Sequence, residues 1–301
     1  MTATEWDIRG IINITSDYLA GKKVDNPRLT AELLLSHQLN VDRITLYLHF
    51  DKPLTKVEVD GYRSLVKRRV EHEPLQYITG KQEFWSLDFK VNPSVLIPRP
   101  ESEILVEMAI EKSSGEHGFT ESGINILDLG TGSGALAVSL ATEIRGAFIW
   151  ATDISSDAIE IARFNAETHG VLERIKFCQG DMWKPIIDEG VFFDLIISNP
   201  PYVSDEEYDA LPAEVKDHEP RIALCGYSDG MFYIDKIITD GWRYLNPGGH
   251  LLLEMDPRQT TKALRLFDQA RVYEEASRRQ DYSHRHRVVS ARRISEKSLN
   301  A

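Results

Sequence analysis

Ile126-Leu127-Asp128-Leu129-Gly130-Thr131-Gly132-Ser133-Gly134 is the stretch on which the fold of this chain turns. An apolar run enters a turn with glycine at every second position, and the helix-like Ala135-Leu136-Ala137-Val138-Ser139-Leu140-Ala141 follows. Glycines admit positive φ and let a ligand approach the backbone closely. Alone, such a turn serves tight strand–helix packing equally well. Its surroundings point further. A second apolar run, Ala147 to Thr152, ends in Asp153, 23 positions after Gly130; an acid about 20 residues on is placed to grip ribose hydroxyls. A third run, Arg174 to Cys178, ends in Gly180-Asp181-Met182-Trp183, a polar and apolar set suited to an adenine edge and face. Strands alternating with helical stretches predict a parallel α/β sheet that binds a nucleoside-containing cofactor.

A dinucleotide turn places its third glycine one position later and offers a helix N-terminus to pyrophosphate. Here the third glycine comes early. Asp128 stands just before the turn, where it would repel phosphate and suit the ammonium or sulfonium of S-adenosyl-L-methionine (SAM). A fourth apolar run, Phe192 to Ser198, ends in Asn199-Pro200-Pro201-Tyr202. The prolines fix φ and lack N–H donors, so their carbonyls are held rigidly as acceptors. Asn199 adds a side-chain carbonyl and Tyr202 a flat face. Together they fit a planar –NH2 group.

This succession of strand ends resembles the class I SAM-dependent methyltransferases that modify amide or exocyclic amino nitrogens, over roughly residues 120–290. The resemblance implies a seven-stranded Rossmann-like sheet with interleaved helices. It implies cofactor binding by Gly130, Thr131, Gly132, Ser133, Gly134, Asp153, Asp181, Met182, Trp183 and Asn199, with S-adenosyl-L-homocysteine as product. Asn199, Pro200, Pro201 and Tyr202 are the expected catalytic residues.

The remaining sheet elements are legible too. Gly230 to Leu245 reads as a helix, Asn246-Pro247-Gly248-Gly249 as a turn and His250 to Met255 as a central strand. Gln259 to Ala270 reads as a helix, with Val272 to Ser277 and Arg287 to Arg292 as a terminal antiparallel pair. His284 and His286 lie beside arginines with no carboxylate or thiolate cluster, and we read them as surface residues; no metal is expected.

The 301 residues, 42% hydrophobic, suffice for one large or two modest domains. Cys178 and Cys225 do not make a disulfide framework. No apolar run reaches a membrane span, and Glu5 and Asp7 replace a basic leader, so a cytoplasmic protein is expected. Residues 1–80 hold 11 Lys/Arg and 11 Asp/Glu, so the net charge of −12 falls on the remainder. An acidic catalytic half is a poor partner for a phosphate backbone, and no direct nucleic-acid contact is expected.

Residues 1–73 read as a helical substrate-docking domain, 74–93 as a β-hairpin linker and 94–301 as the methyltransferase domain. Thr4-x-x-Asp7 opens the first helix. Pro27 suits the first turn of the second, which runs to Leu39. Thr55-Lys56-Val57-Glu58 is a capping box, with Leu54 and Val59 as its staple. Lys67-Arg68-Arg69 is a short basic run that could meet an acidic or RNA-bearing partner. Alternating Phe84, Trp85, Leu87, Phe89 and Val91 near Gly80 predict the hairpin.

In order along the chain stand Pro74-Leu75-Gln76-Tyr77, Ile97-Pro98-Arg99-Pro100-Glu101, the glycine turn, Asn199-Pro200-Pro201-Tyr202, and Glu219-Pro220-Arg221-Ile222-Ala223-Leu224 through Asp229-Gly230. This set is similar to the PrmC/HemK family of peptide-chain release factor glutamine N5-methyltransferases across nearly the whole chain. The resemblance implies a monomer whose protein substrate is a release factor and whose acceptor is the GGQ-loop glutamine. Adenine-N6 or guanine-N2 methylation of DNA or RNA is the alternative, because a flipped base presents the same planar amino group.

Overall fold

The computed structural model describes residues 6–114 and 123–295. Two compact units divide the chain: Met1–Lys81 with Pro212–His218, and Gln82–Leu211 with Glu219–Ala301.

The first unit is helical, with Ile8–Gly21, Pro27–Leu39, Arg43–Leu48, Lys56–Val70 and Leu75–Thr79. Ile11, Ile12, Leu19, Leu34, Leu35, Val59 and Tyr62 form its core. Asp7 caps the first helix, its Oδ1 accepting from the Gly10 N–H at 2.6 Å; Thr4 lies outside the described residues. The capping box at Thr55 is complete: Glu58 N–H donates to Thr55 Oγ1 and Thr55 N–H to Glu58 Oε2. Arg43–Leu48 is a further helix that the pattern does not announce, because Ile44 and Leu48 are exposed and leave no apolar stripe. The basic run is paired within the unit: Arg68 makes two bonds to Glu73, and Arg69, itself buried, pairs with Glu214 at 2.7 Å.

The stretch read as a hairpin linker, 74–93, begins instead with a helix, Leu75–Thr79, entered from Pro74 and closed by Gly80 at φ +74°. The hairpin follows as β1 (Lys81–Phe84) and β2 (Leu87–Lys90). Trp85 and Ser86 both take positive φ at its tip, as a two-residue turn matching strand twist requires.

The second unit holds β3 (Ile124–Leu129), β4 (Ala147–Asp153), β5 (Ile175–Gln179), β6 (Phe193–Ser198), β7 (Leu245–Glu254), β8 (Tyr273–Gln280) and β9 (His286–Arg293). They form one sheet in the order β5-β4-β3-β6-β7-β9-β8, parallel except for β9. β3 and β6 bury nearly every residue, as parallel strands covered on both faces do. One core lies under Glu103–Ser114, Ala135–Glu143 and Ser156–Thr168, the other under Phe232–Gly241 and Thr260–Ala270. The expected turn Asn246–Gly249 lies within β7, where the register against β6 shifts between Phe193 and Leu195. Strand order reverses between β3 and β6, and ligands of open α/β sheets bind at that switch, beyond the strands' carboxyl ends.

Candidate active site

The glycine turn and Asn199 are 69 residues apart in sequence, yet they leave neighbouring strands at that switch. The Ser198 hydroxyl fastens the two ends together, donating to the Leu129 carbonyl at 2.6 Å. Beyond them lies an open cleft of about 830 Å³, within the second unit.

The glycine turn folds over the end of β4. Gly130 and Thr131 N–H both donate to the Thr152 carbonyl, at 2.9 and 2.8 Å. Gly130 and Gly132 sit at φ +81° and +56°, and a Cβ built on either meets no atom within 4 Å. Both line the cleft, so the backbone there stands bare toward whatever binds. Gly134 serves packing instead: its Cβ would lie 3.0 Å from that of Ala162. Thr131 and Ser133 are buried and do not line the cleft. The Ser133 carbonyl accepts from Asn165, a buried amide that also exchanges two bonds with Lys90. Asp128 is fully buried rather than turned to the cleft. Thr131 donates to its Oδ2 at 2.6 Å, while Oδ1 has no partner. Burial pushes its carboxyl up to about 7, against the pull of the Thr131 hydrogen bond.

Asp153 lines the cleft with both oxygens engaged, Oδ2 by Gly132 N–H and Oδ1 by Ser155 N–H, each at 2.9 Å. Each carboxylate oxygen retains a further acceptor site. Burial raises its pKa, opposed by the backbone N–H groups of Ser155, Gly132 and Ile154. Asp181 and Met182 also line the cleft, Met182 at φ +52°; a non-glycine residue in that region accompanies constrained sites. Trp183, expected on the adenine face, turns away: its ring is buried in the core and stacks on Tyr244 at 4.7 Å.

Asn199, Pro200 and Pro201 supply another stretch of the cleft wall, as do Ser94, Val95 and Leu96. Asn199 Nδ2 donates to Ser102 Oγ at 3.0 Å, which leaves Oδ1 as the amide's unspent acceptor. Tyr202 does not line the cleft; it is partly buried against the second core, and burial, then the nearby Glu254, raises its phenol pKa.

Several residues outside the expected site set hold this wall. Gln259 Nε2 donates to the Tyr202 carbonyl at 2.9 Å. Gly226 and Gly230 pass so close that a Cβ would stand 2.7 Å from the Pro201 oxygen and 2.1 Å from the Tyr202 oxygen. Arg99 pairs with the buried Glu219 at 2.5 Å, and Glu219 also accepts from Ile97 N–H. Thus the Ile97–Glu101 and Glu219–Gly230 strings, far apart in sequence, form one scaffold around Asn199-Pro200-Pro201. Spacing alone could not have paired them.

The chain matches the PrmC N-terminal domain over residues 11–80 and a methyltransferase domain over residues 120–288. It is 44% identical over 262 residues to a release factor glutamine methyltransferase of Geobacter sulfurreducens, covering 87% of this chain and 88% of that protein. It is 37% identical over 287 residues to the one of Rhodopirellula baltica, covering 95% and 96%. Among solved structures, the hMettl16 catalytic domain in complex with MAT2A 3'UTR hairpin 6 shares the fold, with a TM-score of 0.55 at 14% identity over 76% of this chain and 81% of that one. Among the described residues no helix is long and apolar enough to cross a membrane. Identity of this order along almost the full length, in both domains, means that the chain belongs to the release factor glutamine methyltransferase family.

Proposed function

We propose that this protein transfers a methyl group from SAM to the side-chain amide nitrogen (N5) of the GGQ-loop glutamine of peptide-chain release factors, leaving S-adenosyl-L-homocysteine. The observation that carries this reading is Asn199: its Nδ2 is spent on Ser102, so Oδ1 is left to receive an N–H donor at the cleft wall.

The bare Gly130–Gly132 backbone, the Asp153 carboxylate, and Asp181 with Met182 fit a nucleoside sulfonium: close approach for its chain, an acceptor for ribose hydroxyls, and a polar and apolar pair for adenine. Bound there, SAM would supply a methyl group on a sulfonium leaving group. Asn199 Oδ1 and the Pro200 carbonyl accept the two N–H bonds of the substrate amide. An amide nitrogen is a poor nucleophile because its lone pair is delocalised. Two fixed acceptors hold it and favour the pyramidal form with its lone pair free. Positioning and preorganised dipoles therefore supply most of the rate. Tyr202 acts through its carbonyl, clamped by Gln259, and holds the turn in shape. No general base is needed, since the methylated nitrogen is acidic and gives its proton to water.

We further propose that residues 1–73 dock the protein substrate. A pocket that reads one amide cannot tell one glutamine from another, and residues 1–80 carry no net charge against −12 in the remainder. Methylation of a nucleic-acid amino group is the weaker reading, because that remainder is acidic. Labelled SAM offered with purified release factor, with the same factor carrying alanine for its GGQ glutamine, and with DNA or RNA tests the assignment. Label should enter only the first, at the glutamine amide by mass spectrometry; label in nucleic acid or in the alanine factor would overturn it.

A further inference from the structure

Asn165 stands on the Ser156–Thr168 helix, one turn from Ala162, the residue against which Gly134 packs. It is 1% exposed and does not line the cleft. Its hydrogen bonds go to the backbone of two other segments. Nδ2 donates to the Ser133 carbonyl at 2.8 Å and to the Lys90 carbonyl at 3.0 Å, and Oδ1 accepts from the Lys90 N–H at 2.8 Å. Ser133 belongs to the glycine turn, and Lys90 ends β2. One buried amide therefore joins that turn to the end of the hairpin, and the reaction as derived gives it no part.

We propose that Asn165 is a positioning residue: it holds the glycine turn in the shape that SAM meets, and it ties the turn to the hairpin end so that each stiffens the other. The partners dictate the residue type. Two carbonyls can only accept and an N–H can only donate, so the set needs two donors and one acceptor on a single planar group. A carboxylate would turn acceptors toward both carbonyls. A leucine of similar outline would leave three backbone groups unpaired in the interior, each at a cost. The amide is held the same way round by all three bonds, since turning it over would set Oδ1 against two carbonyls.

The grip reaches the cleft by a short path at each end. Ser133 lies between Gly134, backed by Ala162, and Gly132, which lines the cleft and whose N–H donates to Asp153. Gly132, at φ +56°, has no side chain to anchor it, so its conformation is confined by what holds the carbonyl one residue on. At the other end, Asn92 follows Lys90 by two residues and closes its own turn. Its Oδ1 accepts from Ser94 N–H at 2.9 Å and its carbonyl from Val95 N–H at 3.1 Å, and Ser94 to Leu96 line the cleft. Asn165 thus stands behind two stretches of one cleft without entering it. A ligand that orders the turn must order the hairpin end through the same three bonds, because coupling between two sites is reciprocal.

The inference rests on SAM occupying this cleft, and the test separates the two. The first measurement uses the native protein and no methyl acceptor: hydrogen exchange over β2 with and without S-adenosyl-L-homocysteine. Lys90 is not in the cleft lining, yet its N–H should exchange more slowly with the ligand bound. The second is calorimetric SAM titration of Asn165→Ala and His169→Ala. His169 follows the same helix, and its Nε2 donates to the Asp88 carbonyl at 2.8 Å, so its loss takes a contact from the hairpin and none from the turn. Asn165→Ala should bind SAM about 10-fold more weakly, the scale of one hydrogen bond, and His169→Ala should keep its affinity. In Asn165→Ala the Gly132 N–H should exchange faster relative to the β6 amides of the same sample; a merely structural residue would speed both alike. Native SAM affinity in Asn165→Ala, equal weakening in both variants, a uniform rise in exchange, or a Lys90 N–H indifferent to the ligand in the native protein would each overturn the inference and leave the proposed reaction intact. Should Asn165→Ala not fold, the exchange measurement on the native protein decides alone. A native protein that binds neither SAM nor S-adenosyl-L-homocysteine would overturn the reading on which the inference rests.

Discussion

Replacing Gly230 by alanine should cripple methyl transfer although residue 230 is not in the cleft lining. Gly230 sits at φ +74°, and an added Cβ would stand 2.1 Å from the Tyr202 oxygen and 2.5 Å from Gln259 Nε2. Bringing the oxygen contact to an ordinary separation needs a displacement of about 1 Å, and a shift of that size can cost about 10²-fold in rate. The left-handed backbone costs an alanine about 1 kcal/mol. Losing the Gln259–Tyr202 hydrogen bond costs about 1 kcal/mol more. The variant should therefore fold, with destabilisation of about 2–3 kcal/mol, bind SAM as before and fail in single turnover. Gly132→Ala is the counter-experiment. Its Cβ meets nothing within 4 Å but stands in the cleft lining, so stability should drop by only about 1 kcal/mol while SAM affinity falls. Calorimetric SAM titration, denaturant unfolding and single-turnover rates on both proteins decide it. A Gly230→Ala enzyme with native turnover would refute the claim that the Gly226–Gly230 stretch holds the Asn199-Pro200-Pro201 wall.

Asp153→Ala should weaken SAM binding by about 1.5–3 kcal/mol, the worth of hydrogen bonds to a charged group; unchanged affinity by calorimetry would remove Asp153 from the cofactor site. Asn199→Ala should lower the single-turnover rate by about 10²–10³, by analogy with loss of one oxyanion-hole donor, and a fall under about tenfold would place the glutamine elsewhere. Asp128 titrates near 7 when folded against 3.8 ordinarily, so the folded state binds the extra proton and stability falls as pH rises between those values. Asp128→Asn should lose that component and show a flatter dependence of melting temperature on pH; identical profiles would contradict the buried, neutral carboxyl. An enzyme lacking residues 1–73 should keep SAM affinity yet fail on whole release factor, provided that Glu214, deprived of Arg69, does not compromise folding; efficient methylation by a folded truncate would make the domain structural only.

The sequence by itself determined the sheet and much of its chemistry, because strand ends are local. A buried parallel strand is a continuous apolar run, and the polar residue that ends it stands at the sheet's carboxyl edge. Asp153, Asp181 and Asn199 were found this way, as were the glycine turn and the Thr55 capping box, whose periods and spacings need no knowledge of the rest of the chain. What each side chain faces was not local. Asp128 and Trp183 carry the same residue signals as true cleft residues, yet one is sealed under the turn and the other stacks on Tyr244. Only the packing of helices on the sheet separates them. The supports of the Asn199-Pro200-Pro201 wall come from stretches far apart in the chain: Ser102 before β3, and Gly230 and Gln259 on either side of β7. Their pairing follows from strand order and from the close approach of backbones that glycine permits, and no spacing in the sequence encodes it.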